Sequence, residues 1–458
     1  MRLSHLAPLC VLLCLTTPSA KAVKYFWQLS DVHVDGDYTA TADPKAWCHS
    51  DTTGAAREEW FGQIGCGLPW RTVESAVDFM KRHIGSPEAI LWTGDTAPHW
   101  PYTDWSEVFP KLRRVSSMLR NAFPDAQILP AIGNHDAYPS DQFPDDNGTY
   151  YQEYLERSGW GELLPEEARR TFRRGGFYAV DVGEYRVIVL NTALYYTRNK
   201  KVSEAGDDPT GQIAWLAEEL KTRKPTIVTA HLSPGFPHWS IYTPNLYTNY
   251  NYKLHKELNR VGTLEQRIAN IFGHEHIDTF QNVYRTDLPF EKHTYALNTY
   301  FMAPALMPGT LDQRINPSVR LYALLPDKLN DYVQFHFNLD AANKAHRENP
   351  TSVDDSKFWN VTYRLRDAYG LPDANTRSMH LLFKEIKEDD SKFRKYWNFN
   401  DGLHGDAPAC NATCKKQRLC QMSAQVHQQM TDCLNGSGQM VASLVLVAIT
   451  AAAARVFG

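Results

Sequence analysis

The sequence has no basic tract, no C-x-x-C pair, no internal repeat and no low-complexity segment. Without a basic tract, and with a net charge of only −4 over 458 residues, a nucleic-acid polymer is excluded as the main partner. Small phosphate compounds stay open. Without a C-x-x-C pair, a thiolate zinc site is discounted. Neither terminal apolar run, Leu6 to Leu15 or Met440 to Ala454, reaches the ~20 residues that a membrane-spanning helix needs. The 43% apolar and 12% aromatic content exclude wholesale disorder. The length suits one large catalytic core with an appendage, or two ordinary domains.

What is present begins with an address at each end. Arg2, the first apolar run and the small residues Ala20 and Ala22 form a secretory signal over residues 1–22, with Val23 as the first mature residue. At the other end, Asn435-Gly436-Ser437-Gly438 is small and polar, and the second apolar run follows it. Small residues ahead of a terminal apolar tail resemble a glycolipid-anchor signal, which would make residues 435–458 removable and tether the protein to the outer membrane surface. A plainly secreted protein is the alternative.

Cys10 and Cys14 leave with the signal, so Cys48, Cys66, Cys410, Cys414, Cys420 and Cys433 remain. An even number in an oxidising compartment points to disulfides. Many pairings are possible, and pairing 48 with 66, 410 with 414 and 420 with 433 asks least of the chain. The sequons at Asn147, Asn360, Asn411 and Asn435 agree with secretion and glycosylation.

Strand and helix patterns alternate from Val23 to Leu339, which predicts an α/β layered fold with sheets inside. The expected strands are Lys24–Ser30, Ala89–Thr93, Ala126–Ile132, Tyr185–Leu190, Thr226–Ala230, Ile268–Phe272, Thr294–Asn298, Val319–Leu324 and Val333–Leu339. Helices are expected over Thr72–His83, Trp105–Leu119 and Gly211–Lys221. Beyond Leu339 the character changes. Asn360 to Arg394 is charged and helix-like, and Ala409 to Leu434 holds four cysteines, so residues 340–434 read as a disulfide-stapled helical extension.

Five motifs each follow an apolar run: Asp31-Val32-His33, Gly94-Asp95, Gly133-Asn134-His135-Asp136, His231 and Gly273-His274-Glu275-His276. Loops at the carboxyl ends of neighbouring strands converge, so these residues can share one pocket. Imidazole and carboxylate suit zinc, manganese or iron. A carboxylate such as Asp95 can bridge two cations about 3.5–4 Å apart, the spacing used for phosphoryl chemistry. A single D-x-H or H-x-H is ordinary surface chemistry. Five such motifs in this order are not.

The set resembles the calcineurin-like metallophosphoesterase superfamily, and within it the acid sphingomyelinase group. Gly94-Asp95-Thr96-Ala97-Pro98-His99 places a histidine four residues after the bridging Asp, as that group does, and the Cys410/Cys414 and Cys420/Cys433 spacings also match it. The resemblance implies a layered metallophosphoesterase fold with central β-sheets flanked by helices, and a catalytic domain over residues 23–339. It assigns one metal to Asp31, His33, Asp95 and His276, and a second to Asp95, Asn134, His231 and His274. His99 and His135 face the substrate. Purple acid phosphatases carry an iron-binding tyrosine where Pro98 stands, so the resemblance implies two zinc ions. The first core strand follows the signal directly, which leaves no room for a saposin-like domain and implies small substrates such as nucleotides or nucleotide-cholines. Action on membrane lipids stays open.

The expected chemistry is hydrolysis of a phosphodiester or pyrophosphate bond, with His135 or His99 as general acid. A phosphomonoesterase on the same metals and a non-catalytic surface regulator are the alternatives. Two aromatic groups, Trp100, Tyr102 and Trp105 after Asp95 and Phe236, Trp239, Tyr242, Tyr247, Tyr250 and Tyr252 after His231, could stack a base or hold choline, or simply pack. His83, His238 and His336 read as surface or structural. The tail carries its own test. Phosphatidylinositol-specific phospholipase should release the protein from intact cells, whereas no release, with Arg455 still on the mature chain, rules the anchor out.

Overall fold

The element order starts with β1 (Lys24–Leu29), β2 (Ala89–Trp92), β3 (Gln127–Pro130), β4 (Tyr178–Val182), β5 (Tyr185–Val189), β6 (Thr226–Ala230) and β7 (Arg267–Phe272). It continues with β8 (Thr279–Val283), β9 (Asn298–Met302), β10 (Gly309–Thr310), β11 (Gln313–Arg314), β12 (Ser318–Leu325), β13 (Lys328–Phe337) and β14 (Trp359–Arg364). This computed structural model describes residues 22–49, 58–100, 102, 104–145, 148–288, 292–311, 313–405 and 409–435. The expected leader, the tail beyond Asn435 and the sequon at Asn147 therefore lie outside the described residues.

Two six-stranded sheets carry the fold, ordered β14-β13-β12-β1-β2-β3 and β4-β5-β6-β7-β9-β8, and β10 and β11 form a separate hairpin. β1, β2 and β3 run parallel, as do β5, β6 and β7. Every residue of β2 and of β6 is buried, as expected of parallel strands covered on both faces. The helix Trp70–His83 buries Val73, Ala76, Val77 and Met80 along one stripe, starts after Pro69, and closes on Lys81, Arg82 and His83. The layered α/β expectation holds.

Buried polar side chains tie the sheets together. Gln28 on β1 donates to Phe272 O at 2.9 Å, and its own carbonyl oxygen accepts from Tyr322 Oη at 2.9 Å. Arg320 on β12 is fully buried and pairs with Asp278, just before β8. Its Nε donates to Gln334 Oε1 at 2.7 Å and its Nη1 to Met302 O at 3.3 Å, while Tyr363 Oη donates to the other Asp278 oxygen at 2.7 Å.

Two expectations shift. The strand expected over Thr294–Asn298 lies later, as β9, because Tyr295 is 59% exposed in the approach to it. The segment from Asn360 is not helical at its start. β14 pairs antiparallel with β13, burying Trp359 and Tyr363, and a register shift turns Val361 outward. Helices follow, among them Thr376–Glu388, Asp390–Phe399, Ala412–Gln421 and His427–Asn435. Disulfides join Cys48 to Cys66, Cys410 to Cys414 and Cys420 to Cys433. Asn360 and Asn411 are both exposed, and Asn411 caps the helix Ala412–Gln421 by accepting from Cys414 N.

Removing Arg320 leaves the Asp278 carboxylate buried and uncompensated. Arg320→Met should lower unfolding stability by about 3–5 kcal/mol. Adding Asp278→Asn to that variant should recover part of the loss. Equal stabilities for Arg320→Met and wild type in urea would dismiss the pair as a structural tie.

Candidate metal centre

Each expected ligand sits where its strand ends and the backbone turns sharply. Asp31 (φ 51°), His33 (φ 41°), Asp95 (φ 55°), His274 (φ 70°) and His276 (φ 58°) all occupy the left-handed region. Non-glycine residues there cost roughly 1–3 kcal/mol each unless their surroundings hold them. Cross-strand bonds do so: Asp31 N donates to Gly94 O and His33 N to Asp95 O, each at 3.0 Å, and Ala305 N donates to His276 O at 2.9 Å. Gly133 has to be glycine, because a Cβ would overlap the backbone and carboxylate of Asp95.

The side chains converge in two clusters that share Asp95. Asp31, His33, Asp95 and His276 form one, and Asp95, His231 and His274 the other, with ligand atoms in each within 4.8 Å of one another. His33 Nε2 lies 3.2 Å from His276 Nε2 and 3.5 Å from Asp95 Oδ2. His231 Nε2 lies 3.2 Å from Asp95 Oδ2, and Asn134 Oδ1 joins that side at 2.9 Å from the same nitrogen. Asn134 Nδ2 donates to Asp141 Oδ1 at 2.8 Å, which turns its oxygen inward.

The donor set fits metal ions. His33 Nδ1 donates to Ala97 O at 2.8 Å and His231 Nδ1 to Thr93 O at 2.7 Å, which fixes each tautomer and leaves Nε2 with a lone pair for a cation. His274 Nε2 is buried with no hydrogen-bond partner, a state that a cation shared with Asp95 and His231 would relieve. Burial lowers His33 to about 3 and holds His99 and His274 well below the usual imidazole range. His33 and His274 are therefore neutral, as ligation requires. Burial alone would also lower His231, but the Asp95 carboxylate outweighs it and pushes the ring up to about 9, so a cation taken at Nε2 would displace a proton there. Burial alone would raise Asp95, yet His231, His135 and His33 around it hold it well below the carboxylate range.

His99 and His135 stand beside the clusters. The His99 ring lies 3.7 Å from that of His33 and 4.6 Å from that of His135, centroid to centroid. Geometrically the two form a third grouping with His33. Both are half-buried and line a cavity of about 930 Å³, with Asp95, Asn134, His274 and His276 in the same wall. Their Nδ1 atoms differ in surroundings, since His135 Nδ1 lies 3.1 Å from Ser140 Oγ.

The structure also brings in residues outside the expected ligand set. Asp136 is fully buried and accepts from the backbone N–H groups of Asp95, Thr96, Ala97 and Gly133, at 2.7 to 3.1 Å. Burial and the neighbouring Asp95 push its carboxyl up to about 6. It clamps the Asp95 loop, and nothing in local periodicity marks it. His238 is a structural histidine, as expected, and also lines the cavity, its Nδ1 donating to the buried Glu275 at 2.8 Å. His83 and His336 lie away from the cavity. Most of the aromatic residues pack: Tyr102 Oη donates to Ala137 O, Trp105 stacks on Phe109, and Phe236 and Tyr250 are fully buried. Trp239 faces the cavity, edge-on to His274 at 5.1 Å.

Comparison with known proteins agrees with this geometry. A model of the calcineurin-like phosphoesterases matches residues 24–278, and one of the acid sphingomyelin phosphodiesterase C-terminal region matches residues 295–440. The chain is 30% identical over 434 residues to acid sphingomyelinase-like phosphodiesterase 3b of Homo sapiens, covering 90% of both. The chain belongs to the acid sphingomyelinase-like branch of the calcineurin-like phosphoesterases. It is also 31% identical over 431 residues to a cyclic GMP-AMP phosphodiesterase of Rattus norvegicus, covering 91% of this chain and 92% of that one. Identity to the sphingomyelin phosphodiesterase of Bos taurus is 27% over 428 residues, covering 87% of this chain and 64% of that one. As a member of this family the protein is a metal-dependent phosphodiester hydrolase with a buried, multi-residue metal site.

Asp95 is the test of how the two clusters are joined. Asp95→Asn should lower bound metal, measured by elemental analysis, and cut phosphodiester hydrolysis by roughly 100-fold or more, since even outer partners of metal ligands cost about 10–100-fold. Wild-type metal content and turnover in that variant would remove the shared-ligand assignment.

Proposed function

We propose that the protein is an extracellular, two-zinc phosphodiesterase that hydrolyses phosphodiester or pyrophosphate bonds of small soluble substrates such as nucleotides and nucleotide-cholines. The observation that carries this reading is the pair of clusters sharing Asp95 at the wall of a cavity large enough for a substrate of that size. Asp31, His33, Asp95 and His276 would hold one cation, and Asp95, Asn134, His231 and His274 the other. When bound, the two cations neutralise charge on the phosphoryl oxygens and make water acidic enough to ionise near neutral pH. The imidazole and carboxylate donors suit zinc, and proline at position 98, where an iron-binding tyrosine would stand, favours it over iron.

The protein's own groups do the rest. His33 and His231 are oriented by backbone carbonyls, so the reacting phosphoryl group meets a preorganised site. His99 and His135 line the cavity off the metals, and an anionic phosphoryl group beside them would offset the burial that otherwise holds both rings low, so that either could hand a proton to the departing oxygen. The names of the relatives, among them a cyclic GMP-AMP phosphodiesterase, support a nucleotide-sized substrate. Three disulfides support an oxidising, extracellular setting, and no helix of the described residues is long and apolar enough to cross a membrane.

The leaving group separates proton donation from phosphate binding. His99→Gln or His135→Gln should keep the zinc and slow hydrolysis of an alkyl or ribosyl diester by about 10²–10⁴-fold. The p-nitrophenyl ester should suffer far less, because p-nitrophenolate departs without a proton. Equal losses on both substrates would make the imidazole a phosphate-orienting group instead.

A further inference from the structure

The helix Ala412–Gln421 brings into the cavity a buried cation that no carboxylate of the described residues neutralises. Arg418 is only 8% exposed, and it lines the same cavity as Asp95, His274 and His276. Its Nε is buried with no hydrogen-bond partner. Among the described residues no carboxylate pairs with its guanidinium; its nearest aromatic support is Trp397, 5.4 Å from Cζ to the ring centroid. Arg320 on β12, also deeply buried, has its carboxylate, amide and carbonyl partners in place. A buried cation without a partner is costly to keep, so Arg418 is a site built for something outside the chain.

The surroundings keep it there. Asn411 caps its helix, Cys410–Cys414 and Cys420–Cys433 staple both ends, and Gln421 Nε2 donates to the carbonyls of Pro237, His238 and Ser240. The next residue of that loop, Trp239, packs edge-on against His274 and shares with Arg418 a side recess of about 240 Å³. Arg418 and the metal clusters are therefore fixed relative to one another through Trp239. A guanidinium fork matches the geometry of phosphate, and an anion that reached it from the clusters would belong to the same small molecule.

We propose that Arg418 receives a second anionic group of the substrate, a phosphate beyond the one attacked, and so selects polyanionic phosphoesters over singly charged ones. This rests on the reading of the clusters as a small-substrate phosphodiesterase. The test compares ATP with bis(p-nitrophenyl) phosphate, which carries a single charge, using the full chain and the variants Arg418→Gln and Arg418→Lys. ATP is measured as a substrate, or as a competitive inhibitor of p-nitrophenolate release. In Arg418→Gln the ATP constant should rise by roughly tenfold or more, and in Arg418→Lys by about three- to tenfold, since lysine keeps the charge and loses the fork. The KM for bis(p-nitrophenyl) phosphate should move less than about twofold. An ATP constant unchanged in both variants, or an equal rise for both compounds, overturns the proposal. If Arg418→Gln fails to fold, Arg418→Lys alone decides it by the same comparison. If the wild-type protein cleaves neither compound, the hydrolase reading fails on its own, and calorimetric ATP binding to wild type and variant still decides the role of Arg418.

Discussion

For the Asp95 carboxylate to reach both clusters, several strand-end loops have to pass through one small volume. Gly133 leaves room where a side chain would strike Asp95, and Gly273 does the same beside Asp31. The loops then hold each other by backbone bonds, and Asp136 gathers four N–H groups around one buried carboxylate. Five residues in left-handed conformations follow from that crowding. Their strain is offset by the buried parallel strands behind them, whose apolar residues fill the core.

Each cluster draws on both sheets. Asp31, His33 and Asp95 follow β1 and β2, whereas His231, His274 and His276 follow β6 and β7 of the other sheet. A small slide of one sheet over the other would pull the clusters apart. The buried links at Gln28 and Arg320 resist such a slide, and they are polar bonds with fixed geometry, which apolar contact alone does not provide. Metal bound between the sheets would add its own free energy to that coupling, so loss of metal should loosen the whole centre and not merely empty it.

The chemistry of the site was legible because it is written in short motifs directly after apolar runs. Converging strand ends could bring Asp31, His33, Asp95, Asn134, His231, His274 and His276 to one pocket, whereas their division between two cations came from the family resemblance. Other features left no local trace. β8 places Gln281 and Asn282 in the interior, where Phe236 O, Met379 O and Met422 O accept from them, so its sequence shows no apolar alternation. Asp136 and Glu275 look like ordinary acidic loop residues until their distant partners are known. β14 was hidden by the charged helices after it, and by a register shift that exposes Val361. In each case a long-range contact decided the outcome, and periodicity reports only which face is covered.

The region after the second sheet is part of the site's wall and not a cap laid over it. Trp397, Asn400, Asp401 and Arg418 line the cavity, Met422 O accepts from Asn282 N on β8, and Gln421 fixes the loop that carries His238 and Trp239. His238 in turn joins Glu275, between two metal-site histidines, to Gln313 on the β10–β11 hairpin at 2.9 Å. The metal-binding residues thus come from strand ends that hold one another rigidly, whereas the surfaces a substrate would meet come from the 237–242 loop, the hairpin and the stapled helix. Separating the two in this way lets the walls change without disturbing Asp95.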